Sequence, residues 1–537
     1  MRWYRSGYSF RNNNTAMIIV WLLVITFVSG ILAWIVSSWN HKAGRIICLS
    51  GLAVDALLIL YVWVSQYGDL AAGTNTNWIL EYNAVWIKPL GINFHLAMDG
   101  LSLLLAALTI LLGMSAVACS WNEIKKQSGC FHFTLMTTLT GIIGVFTAID
   151  LFLFYFFWEL MLIPMFFLIL IWGHENKNYA AIKFFIFTQA GGLLMLLSIV
   201  ALYWIGVNLT GASSFDFTKL MTLAMSGHLL IVVGFFIAFA VKLPIAGLHM
   251  WLPDAYTEAP TAGSVILSGL LLKTGAYGII RFVLPMLGNT STLLRPVAMV
   301  LALVSIFYGA LLAMGQKDIK RFIAYASFSH IGFVLLGVFA GTQMALQGAV
   351  VIMIAHGLST GALFIIIGAL QERLGTRDIT KMGGLWSNMP RMGSMMLFFA
   401  LASLGLPGLA NFIGEFLVLA GTFQTHPWFA GIAAFGFVVS SIYSLWIIFK
   451  IFYGPVGNSS KTTDLKLSEM LNLSVLALLL IWIGIFPQTV LNTSKTALEK
   501  INTMQTAKTN QSVHNFTNAD IMIVENAREN NTAELTK

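Results

Sequence analysis

Six ionisable residues, Glu159, Lys242, Lys273, His330, His356 and Glu415, each fall near the middle of a long apolar run. A charge at the centre of a bilayer costs at least ~2.5–3.5 kcal/mol on insertion scales, so several in one chain point to a task. The chemistry that carboxylates, amines and imidazoles share at that depth is proton exchange. A desolvated ammonium gives up its proton more readily, whereas a nearby carboxylate favours keeping it. Glu159 moving toward or away from Lys242 would therefore switch the lysine's proton affinity without any redox group. Lys273 would then relay toward His330, His356 and Glu415 through water, with Glu415 as the exit or loading acid. Ser268, Thr274, Ser327, Ser329, Ser359 and Thr360 would hydrate that line or, more plainly, serve as helix-packing contacts.

Each residue also has a structural reading. Glu159, in "YFFWELMLIPMF", would be half of an ion pair between helices. Lys242 would snorkel along its stem, although its depth in the span argues against that. Lys273, in "SGLLLKTGAYGIIRF", would bind backbone carbonyls; His330 and His356 would be hydrogen-bonded packing residues. His249, Asp254 and Glu258, in "HMWLPDAYTEAP", are candidates for proton uptake at the cytoplasmic mouth. The same stretch also reads as helix-stop and helix-start chemistry.

The elements that must hold these residues are membrane helices. Of 537 residues, 58% are hydrophobic and 10% charged, with mean hydropathy +0.82. A soluble domain carries about 25% charge, so the composition excludes one and predicts an all-α polytopic membrane protein. Runs of roughly 20 apolar residues predict fourteen spans, near 15–37, 46–65, 98–120, 131–149, 151–172, 180–206, 228–249, 262–287, 294–314, 320–341, 345–371, 394–424, 429–453 and 469–490. The first run is too long for a signal-peptide core and lacks a small-residue cleavage site, so it reads as a retained helix. The loop 66–97, with "GTNTN", is expected to lie folded on the membrane surface, and the polar tail after 491 to be flexible or surface-draped.

Two spans are interrupted. Pro244 follows Lys242 in span 7, and Pro407 with Gly405 and Gly408 breaks span 12 near Glu415. Proline removes a backbone hydrogen bond, and unwound backbone survives in a membrane only where protein or water lines it. Broken helices five spans apart predict two inverted five-helix units, spans 4–8 and 9–13. The domains are then 1–130, 131–290, 291–455 and 456–537.

Fourteen Lys and Arg residues fall in the loops after spans 1, 3, 5, 9, 11 and 13 (Lys320 and Lys461 among them), against three in the opposite set. That asymmetry places both termini in the periplasm, outvoting Arg2, Arg5 and Arg11. It also accounts for the net charge of +8 without nucleic acid. Cys48, Cys119 and Cys130 have no metal-ligand spacing. No nucleotide loop, iron–sulfur set or haem signature occurs in the spans.

"FHLAMDGLSLLLAALT", "KLPIAGLHMWLPDAYTEAPTAGSVILSGLLLKTGAYGIIRF", "QKDIKRFIAYASFSHIGFV" and "LPGLANFIGEF" resemble the antiporter-like membrane subunits of respiratory complex I, most of all the M type (chain 13, counterpart of mitochondrial subunit 4). The resemblance covers about residues 15–490. It implies a fourteen-helix fold with two inverted units and a central polar axis that carries protons, driven by quinone reduction elsewhere in the complex. Glu159, Lys242, Lys273, His330, His356 and Glu415 match the family's axis, with Pro244, Pro407 and Gly408 at its helix breaks. The M type has glutamate where the sister L and N subunits carry lysine, matching Glu415, and the absence of apolar sequence after 490 also argues against L. No cofactor is then expected in this chain; NADH, FMN, iron–sulfur clusters and quinone would belong to partner subunits. The N-terminal extension and C-terminal tail depart from the family pattern. Competing expectations are a subunit of an Mrp-type Na⁺/H⁺ antiporter or membrane-bound hydrogenase, and a passive scaffold whose charges merely pair.

Overall fold

The computed structural model describes residues 6–72, 78–221, 229–287, 291–454 and 463–504, without the side chains of 6–14 and 291–292. Arg2, Arg5, the Arg11 side chain, the "GTNTN" stretch at 73–77, Lys461 and the tail beyond 504 lie outside these residues.

Among the described residues, 12 helices are long and apolar enough to cross a membrane. Spans 7 and 12 are the two expected crossings that are not continuous. Span 7 runs as Leu229–Lys242 and then Leu252–Glu258, and span 12 as Pro390–Ser403 and then Ala410–Thr425. The longest of these pieces has 16 residues, too few to cross alone.

The first break follows from its proline. Pro244 has no N–H for the Ala240 carbonyl, so Ile245 N donates to it instead at 3.2 Å. The Val241 carbonyl then accepts from the Trp251 indole at 2.9 Å, and Ala246 N donates to Ser305 Oγ at 3.0 Å. In the second break Leu406 N reaches back five residues to the Leu401 carbonyl at 3.1 Å. Gly247, Gly405 and Gly408 turn the chain with φ of 92°, 78° and 93°, a region that favours glycine.

Two expectations need correcting. The loop 66–97 is largely ordered structure: helix continues to Ala72, and Leu80–Ile87 pairs antiparallel with Ile92–Met98. Aromatic and β-branched residues in "LEYNAVWI" carry the strand, masked in sequence by the apolar spans on either side. The tail after 491 also begins as a helix, over 488–504. Val490, Ala497, Leu498 and Ile501 form its buried stripe, a helical spacing diluted by intervening polar residues. Trp63 Nε1 donates to Thr493 Oγ1 at 3.0 Å. Gly100 is required beneath this helix, because a Cβ there would lie 1.7 Å from the Thr493 carbonyl oxygen.

Aspartates close the helix ends in a repeated pattern. Asp150 accepts from Phe152 N and Leu153 N before span 5, and Asp318 from Lys320 N and Arg321 N before span 10. Each forms an isolated antiparallel bridge with a second aspartate, Asp150 with Asp216 and Asp318 with Asp378. Those partners accept in turn from the backbone and hydroxyl of Thr218 and Thr380. At the start of span 3, Asp99 caps Ser102 N at 3.0 Å and accepts from Arg281 at 2.6 Å.

The hairpin is fastened by His95, which is buried between Asp216 (2.8 Å) and Glu81 (3.0 Å). Burial opposes charge on His95, but the hydrogen bonds and charges of Asp216 and Glu81 raise it above its ordinary 6.5. Burial likewise opposes ionisation of Asp216, yet the bonds from His95 and Thr218 hold it down to about 2. The histidine's contribution is therefore full below its ordinary value and lost as pH rises through its raised one. The aspartate's is full above 3.8 and lost as pH falls through about 2. Hydrogen exchange across residues 80–98, corrected for intrinsic rates, should be slowest between about pH 4 and 6.5 and faster in alkali. In a His95→Gln variant the alkaline rise should disappear.

Candidate functional site

Lys273, the central amine of the expected line, has no exposed surface. Its Nζ donates to the Ser268 carbonyl at 2.7 Å and meets His356 Nδ1 at 2.8 Å. The helix around it is not a plain α-helix: π-turns occupy Leu267–Leu271 and Ile279–Val283. Such turns widen the backbone and recur at functional positions. Here one presents the Ser268 oxygen to the amine. The second nitrogen of His356 meets Ser327 Oγ at 3.0 Å.

The other end of the line is equally connected. His330 Nδ1 lies 3.1 Å from Glu415 Oε1, and its Nε2 meets Tyr443 Oη at 2.9 Å and Ser403 Oγ at 3.3 Å. The two histidines have ring centroids 6.2 Å apart, and beside them lies a cavity of about 20 Å³ lined in part by Ser327, Ser403 and Tyr443, the hydroxyls that meet their rings, and by Thr360. A water needs about 10–15 Å³ and two to four polar partners, so one fits there against the hydroxyls that meet the two histidines.

The remaining two residues stand apart. Glu159 is half-buried on Leu151–Trp172, with Gln189 Nε2 at 3.5 Å from Oε1. Lys242, 1% exposed, ends the first half of span 7. Its Nζ makes no hydrogen bond with Glu159 or any other described residue. The geometry thus brings together Lys273 with His356 and His330 with Glu415, and leaves Glu159 and Lys242 without a hydrogen bond to each other.

At the mouth that the charge asymmetry assigns to the cytoplasm, the uptake candidates are held in packing and ion pairs. His249 stacks on Phe328 at 4.4 Å. Asp254 pairs with Lys183 (2.7 Å) and Arg321 (2.6 Å), and Glu258 with Arg377 at 3.4 Å. Lys320, placed with the loop charges by sequence, has no exposed surface. The Asp318 cap starts the helix one residue earlier and turns Lys320 inward, where it donates to the Ala259 carbonyl at 3.0 Å and approaches His174 Nε2 at 3.3 Å. Burial, with Lys320 and Arg377 alongside, drops His174 to about 3, so that its imidazole is neutral at pH 7.

Of the expected hydroxyls, Ser327 touches the line directly, and Ser359 accepts from Asn411 at 3.3 Å. Ser329 and Thr274 instead bond the Ile306 and Leu271 carbonyls, at 2.7 Å each. Sequence reasoning missed Tyr443, Ser403 and Asn411. Their signal was polar side chains inside apolar spans, in "SSIYSLW", "ALASLG" and "GLANF".

Both glutamates rest against glycine. A Cβ on Gly192 would lie 2.9 Å from Glu159 Oε1, and one on Gly405 would lie 2.6 Å from Glu415 Oε2. Replacing either by alanine should displace the carboxylate. At Gly405 the positive φ adds strain of order 1–3 kcal/mol. Proton translocation by the Gly405→Ala protein should fall several-fold, and Gly192→Ala should give a smaller loss, each measured with the amount of folded protein matched to the parent. Unchanged transport in both would mean that neither carboxylate position matters.

A family model described as NADH:quinone oxidoreductase/Mrp antiporter, TM, matches residues 148–442. The chain is similar to NADH-quinone oxidoreductase subunit M of Pseudomonas aeruginosa, 51% identical over 497 residues, covering 90% of this chain and 97% of that one. Subunit M of Escherichia coli K12 is 48% identical over 496 residues, with the same coverage. Among solved structures, a chain of respiratory complex I from Thermus thermophilus with bound NADH superposes with a TM-score of 0.81 at 28% identity, covering 91% of this chain and 99% of that one. The polar line and the two broken helices therefore sit in a chain that belongs to the subunit M family of NADH-quinone oxidoreductases, the proton-translocating, antiporter-like membrane subunits.

Proposed function

We propose that protons cross this subunit along Glu159, Lys242, Lys273, His356, His330 and Glu415, driven by NADH oxidation and quinone reduction in partner subunits. The observation that carries this reading is the pair of buried contacts, Lys273 with His356 at 2.8 Å and His330 with Glu415 at 3.1 Å, whose hydroxyl partners Ser327, Ser403 and Tyr443 share one water-sized cavity. A proton on Lys273 passes to His356, whose other nitrogen meets Ser327, a wall of the cavity. From there it reaches His330, and then Glu415. Glu159 sets the load on Lys242 by approaching or withdrawing, since an opposite charge nearby favours the protonated amine. Uptake is placed at the His249, Asp254 and Glu258 mouth, where ion pairs can open and close.

The chain itself needs no redox group; NADH, FMN, iron–sulfur clusters and quinone act in other subunits. Its neighbours are the sister L and N subunits, in a bacterial inner membrane with both termini in the periplasm. The two units, spans 4–8 and 9–13, are inverted repeats. The paired aspartate bridges before spans 5 and 10 support this, because five intervening crossings put them on opposite faces. An Mrp-type or hydrogenase subunit would share the fold, but identity of about half the residues along nearly the whole chain favours complex I.

The test separates assembly from transport. Lys242→Ala and Glu415→Ala complexes in native membrane vesicles should assemble normally, judged by NADH:ferricyanide activity. Their NADH-driven proton gradient should fall by about tenfold or more, equivalent to a barrier raised by ~1.4 kcal/mol. An assembled complex that pumps at the parent ratio in both variants would leave only the scaffold reading.

A further inference from the structure

Lys242 presents a physical puzzle. Its amine is 1% exposed and has no hydrogen-bond partner, the costliest way to bury such a group. Two aromatic faces meet it instead. The ring centroids of Trp158 and Phe184 each lie 5.4 Å from Nζ, within the ≈ 6 Å over which a ring quadrupole attracts a cation. These rings come from different elements, Trp158 from span 5 and Phe184 from span 6. Both are themselves fully or almost fully buried and braced. Trp158 packs on Phe154 and Phe239 at 5.7 and 5.5 Å, and Phe184 on Trp251 at 5.3 Å.

Trp158 is also the residue next to Glu159. Its indole nitrogen and Glu159 Oε1 both face Gly192, where a Cβ would lie 3.7 and 2.9 Å from them. One turn of span 5 thus offers Lys242 a carboxylate and a ring face. Trp251, which braces Phe184, is the residue whose indole closes the break after Lys242 by binding the Val241 carbonyl. The rings are thereby tied to the broken segment itself.

We propose that Trp158 and Phe184 form an aromatic berth for the Lys242 ammonium, the alternative to its ion pair with Glu159, and that they are positioning residues for proton transfer. This rests on the reading of Glu159 and Lys242 as a switch, and gives that switch a second defined state. A lysine leaving Glu159 for bare hydrocarbon would have nothing to hold its charge. Two desolvated π faces hold it without a counter-charge, so the carboxylate is released while the proton stays on the amine until it moves on.

The experiment uses the whole complex in native membrane vesicles, with the proton gradient divided by the rate of NADH oxidation. Trp158→Phe and Phe184→Tyr keep a π face, whereas Trp158→Leu and Phe184→Leu remove it at similar volume to the phenyl ring. The leucine variants should lower the ratio about five- to thirty-fold, the range of a desolvated cation–π contact, and the aromatic variants should restore most of it. Fluorinated tryptophans placed at 158 should lower it in order of fluorine number, since fluorine drains the ring face with little change of shape. Equal loss in leucine and aromatic variants, or no dependence on fluorination, overturns the berth. Lys242→Ala is measured alongside. If it alone retains full pumping, the switch reading fails; if it abolishes pumping while the leucine variants match the parent, only the berth fails.

Discussion

Lys273 sets the terms for the structure around it. An amine with no exposed surface has three hydrogens to place where no bulk water reaches, and the bundle answers with a carbonyl and an imidazole nitrogen within 2.8 Å. That carbonyl belongs to a π-turn of the same helix, which widens the backbone around it. Supplying the imidazole fixes His356, and through its second nitrogen Ser327 of the next helix. Each polar group is satisfied by another that must itself be satisfied, so the requirement propagates toward His330, Tyr443 and Glu415. Such networks are strong when complete and costly when broken.

The two helix breaks serve the same end at either flank of that line. Each removes part of a backbone ladder in the interior, and each is repaired locally: Trp251 takes the Val241 carbonyl, and glycines with positive φ carry the chain around. What the breaks gain is proximity. Lys242 is the last residue before one, and Glu415 lies against Gly405 in the other, with Oε2 free of any described partner. An unpaired oxygen on a buried carboxylate and an unpaired buried amine mark places, among the described residues, where the network is left open. A proton carrier needs such openings, because a fully satisfied network has no vacancy to fill.

Much of this was legible from residues alone, and for a physical reason. Charge in hydrocarbon is so expensive that mid-span Glu159, Lys242, Lys273 and Glu415 stand out without a structure, as do the prolines beside two of them. Residues cheap to bury carried no such mark. Tyr443, Ser403 and Asn411 are common in packed helices, and only three-dimensional proximity to His330 or Ser359 gives them a place. The helix over 488–504 was hidden because its apolar stripe is narrow among polar neighbours, and the hairpin because its strands are short beside long apolar spans. Lys320 was misplaced as loop charge because one residue of helix start decides whether its side chain faces water or His174.

What stays open between the connected halves is the water that must join them. A map of the whole complex at a resolution that shows ordered solvent measures this directly. Water density is expected at hydrogen-bonding spacing from Lys242 to Lys273, and in the cavity that Ser327, Ser403 and Tyr443 line beside His356 and His330. Packed side chains with no solvent along both gaps would contradict it, leaving the buried groups as fasteners of the bundle and the proton without a route.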